Sequence, residues 1–506
     1  MFDLTKLDTY KENNRIEAKA AAKGLPGSLW ETYSSFANTL GGVILLGVTE
    51  SDDNTLKAGG VPDPEKLIKD FWNNVNNTKK VSANILVDRD VYAADFDGKQ
   101  IVVINVPRAQ RYDRPVYIGE NPLSGTYRRN GEGDYKCKKD EVQALMRDAS
   151  FKTQDMLVLD EFSMSDLDSE SIRSYRMRMK LSRPGHVWET LEDDEFLLKI
   201  GAAGRGSDSR IHPTAAGLLM FGHEYDIVKE FPYYFLDYQE NADADTRWTD
   251  RIISSSGDWS GNIYEFYFRV YNKIALDIKT PFKLEKGVRI DDTPVHKAIR
   301  EALANSLIHA DYYGRQGIVI RKTLHNIVIS NPGGFRIDIA AAKSGGISDP
   351  RNATLIKMFN LIDIGERAGS GIPNIYKVWD ENGGKAPIIN EKIEPDRVEM
   401  TLDIDFTADI VSGGDKSAVT VGGNGRIGGK SVVNIGGNEK IGGKSGRINQ
   451  IIEFINEKGS ATPAEIAEYV GLSASRIRDY LKELTDSGKI TYDGTYRDRK
   501  YKMNVK

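Results

Sequence analysis

One cysteine, Cys137, occurs in 506 residues. That excludes an intramolecular disulfide framework and a cysteine-rich zinc site, and it suits a reducing cytoplasm, where we expect the protein. Histidine is scarce too, and His186, His212 and His223 lack metal-ligand spacing and read as structural. No run of about eighteen apolar residues is present, so neither a membrane span nor a membrane partner is expected. The opening Met1-Phe-Asp-Leu-Thr-Lys-Leu-Asp8 has no apolar signal-peptide core. A strong charge of one sign is also missing. The net charge of −5 gives no global attraction to nucleic acid, so any such surface must be local.

The chain is long enough for three or four domains. Its most informative stretch runs from Val295 to Trp379. Val295, Ile299, Ala302, Leu303 and Ile308 recur at roughly helical spacing, which predicts an amphipathic helix. Glu301 and Asn305 are four apart and share a face of that helix. The Asn305 carboxamide offers a hard oxygen to Mg²⁺, and the Glu301 carboxylate can polarise a water. Further on, Gly333, Gly334, Gly365, Gly369 and Gly371 are places where backbone can turn sharply or pass close to a phosphate. The bland alternative is a structural helix with a solvated Glu and a capping Asn, followed by ordinary turns.

Three pieces of this stretch occur in order: Arg300-Glu-Ala-Leu-Ala-Asn-Ser-Leu-Ile-His-Ala-Asp-Tyr312, Asn331-Pro-Gly-Gly334 and Glu366-Arg-Ala-Gly-Ser-Gly-Ile372. Together they resemble the ATP-binding domain of the GHKL superfamily, and more closely a divergent branch of bacterial regulators. In that branch a Schlafen/AlbA-type domain comes first, and Arg is usual where Ala310 stands. The resemblance implies a Bergerat-like α/β sandwich that binds ATP and Mg²⁺. It implies Glu301 as the water-activating residue of a weak ATPase and Asn305 as the magnesium ligand. Asn331, Gly333, Gly334 and Gly365 would surround the nucleotide, with Gly369 and Gly371 as its phosphate lid. The best-known members place an Asp where Asn331 stands, to read the adenine amino group. Here that contact would fall to a neutral side chain.

Towards the N-terminus, a helix is expected over Ser28–Thr39, followed by the buried strand Gly41-Gly-Val-Ile-Leu-Leu-Gly-Val48. Further strands are expected at Ile85–Val87, Val91–Phe96 and Gln100–Pro107, with Asp97-Gly98 as a hairpin turn and a closing helix from Lys138 to Arg147. Glu12, Glu17 and Lys19, then Phe36-Ala-Asn-Thr-Leu-Gly-Gly42, Gly47-Val48 and Tyr127-Arg-Arg129, resemble the Schlafen/AlbA signature. That implies a nucleic-acid-binding role, for which Arg15, Lys19, Arg128 and Arg129 are the candidate phosphate contacts. Some eukaryotic Schlafen proteins cleave RNA at clustered acids. Glu12, Glu17 and Glu50 are the nearest counterparts, and such carboxylates could hold Mg²⁺ or Mn²⁺ for phosphodiester hydrolysis. Each of these charges alone also reads as an ordinary surface contact.

Between the two lies a region with no independent chemistry. Ile172–Lys180 and Ile263–Ile278 read as helices, Thr214–Gly222 as a buried helix or strand, and Phe231–Tyr238 as a strand whose aromatics pack a core. After Asp405, the repeats Val421-Gly-Gly-Asn, Ile427-Gly-Gly-Lys, Ile435-Gly-Gly-Asn and Ile441-Gly-Gly-Lys make a flexible linker by composition. They are not P-loops: the first Gly of that motif is replaced by Asn424 in one copy and by Asn438 in the other. Thr462-Pro-Ala-Glu465 is a helix start with Thr462 as N-cap. With helices at Arg447–Asn456 and Ser475–Ser487, and strands flanking Asp493-Gly494, the last sixty or so residues resemble a winged helix-turn-helix. From Gly471 to Lys506 there are nine Lys/Arg against five Asp/Glu. Arg476, Arg478 and Lys482 would face a major groove, with Arg497, Arg499 and Lys500 near the wing. A protein-binding winged helix is the alternative.

The expected fold class is thus α+β and multidomain. A Schlafen/AlbA-type domain would span 1–150, a connector 151–290, a GHKL-like domain 291–406, a linker 407–446 and a winged helix 447–506. The expected function is an ATP-binding, DNA-binding transcriptional regulator, with RNA as a second polynucleotide candidate and a homodimer as a frequent GHKL arrangement. The alternatives are a metal-dependent nucleic-acid hydrolase acting through the N-terminal acids in defence, and an assembly scaffold with a degenerate pocket. No helicase motor motif is present.

Overall fold

The computed structural model describes residue 13, then 15–406 except 52–54, 97, 242–247, 276–277, 279–283, 286–287, 290–292, 366–368 and 395. From 451 onward it describes 451–452, 454–455, 458–470, 477, 480–481, 484–485, 490–494 and 499–504. The Gly-rich repeats lie outside the described residues. Two compact units divide at Asp415 and Lys416. Among the described residues, no helix is long and apolar enough to cross a membrane.

The first unit begins with β1 (Ile16–Lys19), α1 (Leu29–Asn38), β2 (Gly42–Leu46), β3 (Val48–Glu50), β4 (Leu56–Ala58), α2 (Pro64–Val75), β5 (Val91–Phe96) and β6 (Lys99–Val106). β2 lies between β1 and β6 in a four-stranded sheet of order β1-β2-β6-β5, which is why its Ile44, Leu45 and Leu46 are fully buried. β5 and β6 form the expected antiparallel hairpin, with Phe96 opposite Lys99. Ile85–Val87 is no strand. Its N–H groups find side chains instead of a ladder: Ile85 donates to the Tyr33 hydroxyl and Val87 to Asp90. Next come α3 (Pro122–Gly125), the hairpin β7 (Tyr127–Asn130) and β8 (Gly133–Lys136), and α4 (Lys139–Ala149).

A second series follows: α5 (Ser169–Ser182), α6 (Asp193–Ile200), β9 (Ala203–Arg205), β10 (Ile211–Pro213), α7 (Ala215–Phe221), α8 (Glu224–Glu230), β11 (Leu236–Asn241), β12 (Asp250–Ile253), α9 (Ile263–Ala275), β13 (Leu284–Glu285) and β14 (Val288–Arg289). Then come α10 (Pro294–Ile308), β15 (Ile318–Thr323), β16 (Asn326–Pro332), α11 (Ile339–Ser344), α12 (Ala353–Leu361), α13 (Gly371–Glu381), β17 (Ile388–Ile393) and β18 (Asp396–Asp403). The apolar run 214–222 resolves as helix α7, capped by the Thr214 hydroxyl. In Phe231–Tyr238 the strand starts only at Leu236, because Tyr234 instead closes a turn onto the Phe231 carbonyl.

One six-stranded sheet, β12-β11-β15-β16-β18-β17, organises this half. β11 runs parallel to β15, with Leu236 opposite Ile318. The division expected at residue 290 therefore passes through a shared sheet, and one continuous core extends from Leu159 to Phe406. α10 is buried on several sides because α9 and α13 as well as β16 pack on it. Ile299, Leu303 and Leu307 are fully buried there, each stabilising the fold by about 1.5–3 kcal/mol.

The second unit has its own core, which includes Ile451, Ile455, Ile466, Ile477, Leu481 and Tyr501. α14 (Pro463–Val470) begins as expected: Thr462 and Glu465 exchange hydrogen bonds across its first turn. β19 (Ile490–Asp493) and β20 (Lys500–Met503) pair antiparallel.

Candidate functional site

Six residues singled out from the sequence line one cavity of about 120 Å³: Glu301, Asn305, Asn331, Gly334, Gly369 and Gly371. Pro294 at the first turn and an apolar inner face set α10, whose remaining side presents Glu301 and Asn305. Asn305 Nδ2 donates to Glu301 Oε1 at 3.2 Å, which leaves the amide oxygen for a cation. Glu301 is 8% exposed. Opposite, β16 carries Asn331 in register with Val398 of β18, and its amide donates to the Pro332 carbonyl at 3.4 Å. Ile329, Ile337, Ile347, Ile372, Val398 and Met400 give the cavity an apolar wall.

α13 begins at Gly371, against the paired Glu301 and Asn305 side chains. A Cβ on Gly371 would run into Glu301 Oε1. Gly369 has φ +66°, and a Cβ there would lie 2.5 Å from the Ile347 carbonyl oxygen. At the start of this eleven-residue helix Gly371 and Ile372 can each offer an N–H to phosphate, whereas Pro373 has none and the Asn374 N–H donates to the Ser370 carbonyl. Gly333 lines a neighbouring cleft, Gly365 sits at φ +75° outside the cavity lining, and Glu366 to Ala368 lie outside the described residues.

The cavity has further polar walls that the motifs did not reveal: Ser306, His309, Arg336, Ser348, Asp349 and Arg351. Arg351 Nε and Nη2 hold the two oxygens of Asp148, at 2.9 and 2.8 Å, and Arg336 Nε reaches the same carboxylate at 3.2 Å. Burial pushes the Asp148 carboxyl up, but these two arginines outweigh it and hold the group well below the usual range. Burial lowers His309, and the nearby Arg351 and Arg336 lower it further, to about 4, so its ring is neutral at pH 7.

In the N-terminal domain, Arg129 is 1% exposed and bound to Glu17 at 2.8 Å and Asp134 at 3.0 Å. It serves as an internal tie for β7 rather than an open phosphate contact. The other Glu17 oxygen takes Lys19 at 2.8 Å, so both oxygens of this expected metal ligand are committed to cations. Arg128 pairs with Glu141 and Glu394. Arg15 and Glu50 are exposed, and Glu12 lies outside the described residues. Among the described residues, no three His, Cys, Asp or Glu side chains cluster so as to hold a metal ion. In the second unit, Arg499 lies 4.1 Å from the Tyr492 ring centre and Lys500 is exposed on β20. Arg476, Arg478, Lys482 and Arg497 are outside the described residues.

Residues 10–138 match the family model described as "Schlafen, AlbA_2", and residues 316–402 match "Putative ATP-dependent DNA helicase recG C-terminal". Residues 143–237 match a domain of unknown function (DUF8451), and residues 447–494 match "FaeA-like protein". No curated protein matches the sequence. Among solved structures, the DIP2311 protein from Corynebacterium diphtheriae aligns over 97% of this chain and 94% of its own, at 16% identity and a TM-score of 0.37. A second structure is the N-terminal domain of a "Putative ATP-dependent DNA Helicase RecG-related Protein" from Nitrosomonas europaea. It aligns over 26% of this chain and 90% of its own, at 31% identity and a TM-score of 0.21. On the family matches, this chain is similar to Schlafen/AlbA_2 domains near its N-terminus and to the RecG C-terminal family over 316–402.

Proposed function

We propose that the protein is a DNA-binding transcriptional regulator whose affinity for DNA is set by ATP bound in the cavity between α10, β16 and α13. The observation that carries this reading is the convergence of Glu301, Asn305, Asn331, Gly334, Gly369 and Gly371 on that cavity. The lining side chains suit a magnesium nucleotide, and the cavity, at about 120 Å³ against roughly 300–1,000 Å³ for small-molecule sites, would widen to admit one. The apolar wall suits a base, Asn331 gives it a polar partner, and the α13 start suits phosphate. The Asn305 oxygen suits Mg²⁺, which takes one or two protein oxygens and completes its shell from phosphates and water. Bound Mg²⁺ would neutralise phosphate charge, and Glu301 would orient a water beside it. The Schlafen/AlbA_2 and RecG-type matches support association with nucleic acid.

The test is duplex DNA affinity of the full chain, measured by fluorescence anisotropy with and without MgATP. A ligand shifts an equilibrium only through different affinities for its two states. A change of about tenfold, or about 1.4 kcal/mol, is expected. Equal affinities would remove the switch from this reading.

A further inference from the structure

Beside the nucleotide cavity, and sharing Gly334, Phe335 and Arg351 with it, lies a larger cleft of about 610 Å³. The N-terminal domain forms one wall through Arg108, Arg114 and Arg128. The RecG-type half forms the other through Arg315, Gly333 and Gly334. Most cations here are spoken for. Arg108 holds both oxygens of Glu391 at 2.6 and 2.8 Å, Arg128 holds Glu141, Arg147 holds Asp311 and Arg315 holds Asp140.

Arg114 differs. It is 6% exposed, and its Nε and Nη2, both closed to solvent, have no hydrogen-bond partner. Those two atoms form one edge of the guanidinium, the edge that Arg351 applies to Asp148 and Arg251 to Asp237. Two parallel N–H groups on such an edge match two oxygens of a carboxylate or phosphate. The carboxylates nearest in charge, Asp148 and Glu391, are already taken by Arg351 and Arg108. Burial, with Arg108 and Arg351 close by, lowers Arg114 to about 10, which still leaves it charged at neutral pH. A buried charged donor without an acceptor is costly, and a bound anion removes that cost.

We infer that the cleft is a second anion site, separate from the nucleotide cavity, in which the Arg114 side chain swings its Nε–Nη2 edge out to a phosphate group. Its volume, against roughly 300–1,000 Å³ for small-molecule sites, admits a free nucleotide or one unit of a polynucleotide strand. Both present the same phosphate oxygens.

The experiment titrates the full chain carrying Asn305→Ala, which weakens the neighbouring cavity, with pyrophosphate, AMP and a short single-stranded oligonucleotide in turn. Binding of at least one probe is expected, weakened about tenfold or more by Arg114→Met and less by Arg114→Lys, which keeps the charge but loses the edge. Arg114→Met should also unfold no more easily than its parent, since it removes an unpartnered buried charge. Pyrophosphate or AMP binding alone would identify a free phosphate compound as the ligand, and oligonucleotide binding alone a strand. No binding by any probe, or affinity unchanged in Arg114→Met, would overturn the inference. Because Asn305 is already replaced, failure here is distinct from failure of ATP to bind the intact protein.

Discussion

Arg351 grips both carboxylate oxygens of Asp148 across 203 positions of sequence, and in doing so ties the end of α4 to a wall of the α10–β16–α13 cavity. The same guanidinium donates to the carbonyls of His309 and Gly334, at 2.6 and 3.1 Å. A phosphate entering the cavity near Arg351 would meet a cation already committed to the N-terminal domain. The two halves of the first unit are linked at the residues that would sense the ligand.

Replacing Asp148 with Asn removes the anion that Arg351 and Arg336 share and leaves Arg336 only Asp349, at 3.6 Å. At pH 7 the loss should be about 3–5 kcal/mol, the cost of breaking a buried pair by removing one partner. The folded-state carboxyl is held below its ordinary value of about 3.9, so its contribution is complete above that pH and fades as pH falls beneath it. Chemical denaturation should show the same gap between wild type and D148N at pH 7 and pH 5. A gap that closes by pH 5 would contradict the assignment.

His309 gives the opposite handle on pH. Its folded value of about 4 lies below about 6.5 in the unfolded chain, so the unfolded state binds the extra proton as the solution is acidified. Stability should fall by about 2 kcal/mol between pH 7.5 and pH 5 from this group alone, and His309→Gln should remove that part of the slope. Thermal unfolding of both proteins across this range checks it. Parallel curves would mean that His309 titrates normally.

Gly371 has no space for a side chain beside Glu301. Gly371→Ala must push the carboxylate away from Asn305 or shift the start of α13, at a cost of about 1–3 kcal/mol. ATP affinity should drop about tenfold or more while the fold is kept, as read by calorimetry and circular dichroism. Unchanged binding would show that the α13 start does not touch the nucleotide.

How far the sequence reveals this arrangement depends on the range of each contact. Glu301 and Asn305 are legible because a helix turns i and i+4 to one side, and the structure joins them by a hydrogen bond. Thr462 and Glu465 are legible for the same local reason. Arg336 and Arg351 carry no local pattern: their partner Asp148 is 188 and 203 positions away. The pairing of β11 with β15 is equally silent, since a strand's apolar alternation does not name its neighbour, and that silence put a boundary at 290 through the middle of a sheet. Ile85–Val87 has strand-like residues, yet Tyr33 and Asp90 take the N–H groups that a ladder would need. Arg129 looked like an open cation beside a basic neighbour; only the fold encloses it between Glu17 and Asp134.

The most direct measurement is calorimetric titration of the full chain with ATP in the presence of Mg²⁺, alongside Asn305→Ala. The account predicts saturable binding to the wild-type protein that falls at least about tenfold in the variant, with unfolding of the two alike. No heat of binding to the wild-type chain, or equal affinity in both, would contradict the assignment of the α10–β16–α13 cavity as a nucleotide site.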